Sequence, residues 1–134
     1  MEETHNIAIL RMRLRADDTH YASGVIPAAT YLALMSDAGA MLGLQRGETA
    51  GYLARWEGVD FTSVCRVGDF IEVRAETVKV GNRSRRVRAQ VLKLIATSSG
   101  EPGQTTSGQV LDPPEVVASG EYVGVKPRAD VAHD

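Results

Sequence analysis

The chain has 134 residues, 43% of them hydrophobic and 24% charged, with a formal net charge of -2. That length suits one domain with a sizeable core, while the acidic balance and 5% aromatic content give nucleic acid neither a basic footprint nor stacking platforms. No apolar run approaches the roughly 18 residues of a membrane span, the start MEETHN does not resemble a secretory signal, and a single cysteine excludes an internal disulfide framework, so a cytoplasmic protein with no membrane partner is expected.

From Ile7 to Arg15 the residues alternate, with Leu10, Met12 and Leu14 on one side and Arg11, Arg13 and Arg15 on the other, which predicts a half-buried strand with a solvated arginine face. The stretch DDTHY, residues 17 to 21, follows, and then Gly24. Pro27 suits a first helical turn, and no further proline interrupts Ala28 to Leu44. Leu32, Leu34, Met35, Ala38, Met41 and Leu42 are spread around nearly the whole circumference of that helix, which predicts burial on all sides. Gly47 lies beyond its end, inside QRGETAG. Asp37 stands mid-helix where the pattern calls for an apolar residue.

The remainder reads as strands. Tyr52 to Phe61 is the first. Val67 to Thr97 gives two alternating runs joined at Gly81 and Asn82, a turn-prone pair, and so a long antiparallel hairpin. Ser98 to Pro114, rich in Gly, Ser, Thr and Pro, is expected as a long excursion between strands. A last strand follows in EVVASGEYVGVKP, with residues 1–6 and 127–134 as tails. Cys65, beside Val64, reads as a small buried apolar group. The order predicts a single α+β domain over 1–134, an antiparallel sheet of about five strands wrapped around one long central helix, with edges that a dimer would cover.

Several pieces carry a family resemblance. The apolar helix after a loop with His and Gly, the VGDFIEV strand start and the VKVGNRS hairpin resemble the hot-dog fold of acyl-CoA thioesterases and dehydratases. DDTHY before the helix, SDAG within it, WEGVDF, CRVGDFIEV, VKVGNRSRRV and DPPEVVASGEYVGVKP resemble more narrowly the β-aminoacyl-CoA ammonia lyases, over about Leu10 to Lys126. Those enzymes interconvert β-alanyl-CoA or 3-aminobutyryl-CoA with the enoyl-CoA and ammonia. The chain departs from the pattern in SGVIPAA, where an asparagine and a glycine are expected, and in QRGETAG, which leaves only Glu48 of the expected acids.

The resemblance implies an acyl-CoA substrate, no metal, flavin or nicotinamide cofactor, and a homo-oligomer, a dimer or a trimer of dimers. It implies Asp37 as the carboxylate that takes the α-proton, with burial raising its pKa toward a useful range, His20 as a second proton carrier and Tyr21 as a donor to the carbonyl. Thr30, Ala33, Asp37 and Ala40, at helical spacing, either line a channel for the pantetheine arm or face a neighbouring subunit or water. Asp18 and His20 alternatively close a turn before the helix. Backbone N–H groups near Gly24 and from Val25 to Ala28 would meet the thioester oxygen at the helix start. Gly81, Asn82, Arg83, Ser84 and Arg85, with Arg86, would hold CoA; the other reading is a plain solvated turn. Glu57 falls on an exposed strand face or lines the acyl pocket. Three other activities stay open: an acyl-CoA thioesterase in which Asp37 activates water, an enoyl-CoA hydratase, and a module that binds acyl-CoA without turnover.

Overall fold

The computed structural model describes residues 6–98 and 105–126. Its elements are β1 (Ile7–Arg13), a 3-10 turn (Ala16–Asp18), α1 (Ala28–Gln45), β2 (Tyr52–Phe61), β3 (Phe70–Val80), β4 (Ser84–Ser98) and β5 (Ser107–Val125). The five strands form one sheet in the order β1-β3-β4-β5-β2, with every neighbouring pair antiparallel, and α1 packs on it. This is the predicted α+β hot-dog arrangement.

Strand alternation sorts the two faces of the sheet. Ile71, Val73, Ala75, Val87, Ala89, Val91, Ala118 and Tyr122 are nearly free of solvent contact and form one core with Tyr31, Met35, Ala38 and Leu42 of α1. Each large side chain so buried contributes about 1.5–3 kcal/mol. Small residues run across the middle of the sheet, where Ala75 pairs with Ala89 and Ala89 with Gly120. On the helix, Gly39 meets Tyr122 so closely that a methyl group there would overlap the phenol ring. The opposite face is ionic: Glu72 pairs with Arg11 at 2.8 Å and Arg74 at 2.9 Å, and Arg88 with Glu76 at 3.2 Å and Glu121 at 3.6 Å.

A buried carboxylate ties the loops beneath the helix start. Asp69, only 3% exposed, accepts bonds from the amides of Arg66 (2.9 Å) and Thr97 (3.0 Å), with Lys93 Nζ 4.0 Å away. The Tyr31 hydroxyl accepts from the Cys65 amide at 2.8 Å, and the Ile26 amide donates to Cys65 O at 2.9 Å. These contacts lock the segment before α1 onto the turn before β3. Cys65 is fully buried, as expected, and burial pushes its thiol up to about 11.

Two expectations are corrected. The excursion from Ser98 to Pro114 is in large part strand: β4 continues to Ser98, and Ser107–Val110 pair with it from Ile95 to Ser98. The prolines that suggested a loop fall where the register jumps between Lys93/Glu115 and Ile95/Val110. A bulge asks no ladder bond of them, so β5 tolerates residues without an N–H. The second correction concerns α1, which is not buried all round. Its sheet-facing side is solvent-free, but Ala33, Asp37 and Leu44 are exposed, Leu44 at 59%, because one sheet covers one face of a helix. Of the expected tails, all but Asn6 lie outside the described residues; Asn6 accepts from the Thr77 amide at 3.1 Å and from Arg46 at 2.7 Å.

Candidate active site

The lead-in to α1 is a knotted turn rather than an open loop. Asp18 accepts from the Arg15 amide at 2.6 Å, closing the 3-10 turn as the turn-forming reading has it. Thr19 Oγ1 donates across the loop to Val25 O at 2.6 Å and accepts from the Tyr21 amide at 3.0 Å. Thr30 Oγ1, in the first turn of α1, donates to Asp18 O at 2.9 Å. Side-chain hydroxyls therefore stand in for the ladder bonds the loop lacks. His20 and Tyr21 project from this turn into solvent, with their rings in edge contact at 4.6 Å.

Backbone donors are fewer than the sequence suggests. The Gly24 amide is committed to Tyr21 O (3.0 Å), in a turn that needs its φ of +77°, and the Ile26 amide to Cys65 O. Pro27 has no N–H. The Val25 amide makes a 3.4 Å bond to Ser23 Oγ, and Ala28 and Ala29, both exposed, precede the first intrahelical bonds. Val25, Ala28 and Ala29 remain as the candidates for an anionic oxygen.

Asp37 lies on the outward face of α1 with Ala33, so the expected burial of its carboxylate is absent within one protomer. It stands seven residues beyond Thr30, about 10 Å along a helix that rises 1.5 Å per residue. His20 and Tyr21 are tied to the Thr30 end. One protomer does not bring these three side chains to a common point.

The arginine cluster is divided by the strand pleat. Arg83 and Asn82 are exposed in the turn, which the Gly81 amide closes on Ser84 O at 2.8 Å. Arg85 turns to the helix side, donating to Gly81 O (3.1 Å), Ser84 O (2.9 Å) and Glu48 Oε2 (3.2 Å). Arg86 turns to the other face and pairs with Glu57, which also binds Arg55 at 2.8 Å. The bonds from Arg86 and then Arg55 bring the Glu57 carboxyl down to about 2, and its exposed position fits the strand-face reading. Glu48 is likewise taken: burial pushes its carboxyl up, but the bond from Arg85 and the charges of Arg85, Lys126 (3.6 Å) and Arg46 (3.9 Å) outweigh this and leave it below its usual value.

Sequence reasoning missed Asp69, Tyr31 and Tyr122, whose polar atoms organise the interior. Strand alternation was the available signal for Tyr122, which falls in register with Val87 and Trp56.

The fold agrees with what known proteins show. The thioesterase superfamily matches residues 23–94, and the chain belongs to that superfamily. Over 121 residues it is 27% identical to the 3-aminobutyryl-CoA ammonia lyase of Acetoanaerobium sticklandii, spanning 90% of this chain and 94% of that protein. Its fold is similar to the β-alanyl-CoA:ammonia lyase of Clostridium propionicum, with a TM-score of 0.78 at 20% identity over 89% of this chain and 83% of that one. A Staphylococcus aureus acyl-CoA hydrolase in complex with butyryl coenzyme A and coenzyme A aligns with a TM-score of 0.70 at 16% identity, over 95% of this chain and 66% of that one.

Proposed function

We propose that this protein is a CoA-thioester carbon–nitrogen lyase that reversibly eliminates ammonia from a short β-aminoacyl-CoA to give the enoyl-CoA. The observation that carries the reading is the likeness to 3-aminobutyryl-CoA ammonia lyase across nine-tenths of the chain. The chemistry suits the residues. A thioester makes its α-hydrogen acidic enough for a side-chain base, and the β-amine leaves once protonated. As an anion, Asp37 takes the α-proton while the carbon–carbon double bond forms and the carbon–nitrogen bond breaks; in its acid form it returns that proton in the addition direction. The amides of Val25, Ala28 and Ala29 meet the charge on the thioester oxygen, a kind of interaction whose loss raises the barrier by about 3 kcal/mol. Asn82, Arg83 and Ser84, left accessible at the turn, take the CoA end of a thioester whose acyl group lies against another copy.

The separation of Asp37 from His20 and Tyr21 supports a site shared between copies, with the helix of one protomer beside the lead-in turn of another. A homodimer, or three such dimers, supplies that seam and covers the outward face of α1. No cofactor beyond the CoA of the substrate is needed for this proton chemistry, and a cytoplasmic location goes with such a substrate. The superfamily match favours one second reading, acyl-CoA hydrolysis with Asp37 activating water.

Incubation with crotonyl-CoA or acryloyl-CoA and ammonium separates these readings by product mass. The amine adduct with its thioester intact is expected. Release of free CoA thiol would establish the thioesterase, and addition of water the hydratase.

A further inference from the structure

Under the C-terminal half of α1 lies a cavity of about 100 Å³ that the proposed proton chemistry does not use. Its helical wall is made by Ser36, Gly39, Ala40 and Gly43, and Tyr122 of β5 stands opposite. Three cations line it, Arg46, Arg85 and Lys126, against a single carboxylate, Glu48. One donor is unmatched: among the described residues the buried Arg85 Nε–H has no hydrogen-bond partner. Buried polar groups are normally paired, so an orphan donor on a cavity with surplus positive charge calls for an acceptor-rich, anionic occupant. An ammonium group is disfavoured there, since Glu48 already faces three cations.

The volume sets the occupant's size. About 100 Å³ is several times the roughly 10–15 Å³ that one water requires, room for a small carboxylate group. Ala40 belongs both to this wall and to the outward stripe with Asp37, so the cavity adjoins the face on which the thioester is proposed to react. We propose that it receives the far end of the acyl group and selects a short acyl-CoA ending in a carboxylate, bound by Arg85, Lys126 and the Tyr122 hydroxyl. This rests on the reading of the substrate as a CoA thioester.

The test compares glutaconyl-CoA, which carries the terminal carboxylate, with crotonyl-CoA, which lacks it. With ammonium as co-substrate, kcat/KM for adduct formation is expected to be at least tenfold higher for glutaconyl-CoA. Tyr122→Phe and the more conservative surface change Lys126→Met should each reduce that ratio severalfold. Preference for crotonyl-CoA, or a ratio that neither variant alters, would overturn the proposal. Should neither thioester gain ammonia, the lyase reading fails and binding decides the cavity's role instead. Trp56, the sole tryptophan, packs with its ring 5.0 Å from that of Tyr122 and reports occupancy by fluorescence. At least tenfold tighter binding of glutaconyl-CoA than of crotonyl-CoA upholds the cavity assignment, and equal affinity rejects it. Free glutarate binding as tightly as glutaconyl-CoA would also reject it, by showing a site for a free dicarboxylate.

Discussion

The two faces of α1 are built on opposite terms. Toward the sheet, Tyr31, Met35, Ala38, Gly39 and Leu42 are packed without solvent, and even a methyl group at position 39 would collide with Tyr122. On the outward side, Ala33, Asp37 and Leu44 stand exposed. The first face fixes the fold; the second carries a carboxylate and an exposed leucine that one copy of the chain leaves uncovered. The same division appears one residue apart in β4, where Arg85 joins the interior and Arg86 the ionic outer face. Under the proposed function, stability and proton transfer lie on different sides of α1, so they should separate under mutation.

The largest effect on the packed side is expected from Met35→Ala, about 2–5 kcal/mol lost in urea unfolding, because the fully buried site cannot collapse around the gap. A cost below 1 kcal/mol would mean that the helix sits more loosely than this contrast requires. Asp69→Ala strands two amides beneath the helix start and should cost about 1–3 kcal/mol by the same measurement. On the open side, the proposed homodimer predicts that Leu44→Glu leaves the protomer folded but weakens self-association at least about tenfold in sedimentation equilibrium, given what a buried leucine contributes. Unchanged association would remove Leu44 from any seam.

Smaller effects follow the titrating groups. The Glu48 carboxyl sits below its usual value when folded, so its contribution is present above the ordinary value of 4.5 and is lost as pH falls through the lower folded value. Wild type should therefore lose more stability than Glu48→Gln between pH 6 and pH 3. Cys65 has the opposite sign: its thiol is raised to about 11, so the contribution holds below the ordinary 9.0 and fades as pH rises toward 11. Iodoacetamide should label Cys65 slowly at pH 8 in the native protein and rapidly in urea.

Local periodicity made much of the fold legible. Tyr52 to Phe61 emerges as β2 at both ends, the helix begins at Ala28 as Pro27 implies, and the hairpin turns at Gly81 and Asn82. What failed needed long-range knowledge. The pairing of Ser107–Val110 with Ile95–Ser98 is set by a bulge that absorbs Pro113 and Pro114, and composition alone read those residues as loop. The apolar circumference of α1 predicted burial on all sides, but this chain's one sheet covers only one side of the helix. At the candidate site, His20 and Tyr21 were placed in the lead-in turn, as they are found, whereas the arginines after Gly81 looked like one cluster because their adjacency hid the pleat that separates Arg85 from Arg86. Asp69 stood in a quoted motif without its role being visible, since one of the two amides it holds, that of Thr97, comes from the distant end of β4.

The most direct measurement is Asp37→Asn, assayed for ammonia addition to crotonyl-CoA alongside thermal unfolding and thioester binding. The account predicts a rate lower by about 10²–10⁴, with melting and binding unchanged, because an exposed side chain that acts as base contributes to turnover and little to the fold. A variant that adds ammonia at the wild-type rate would contradict it.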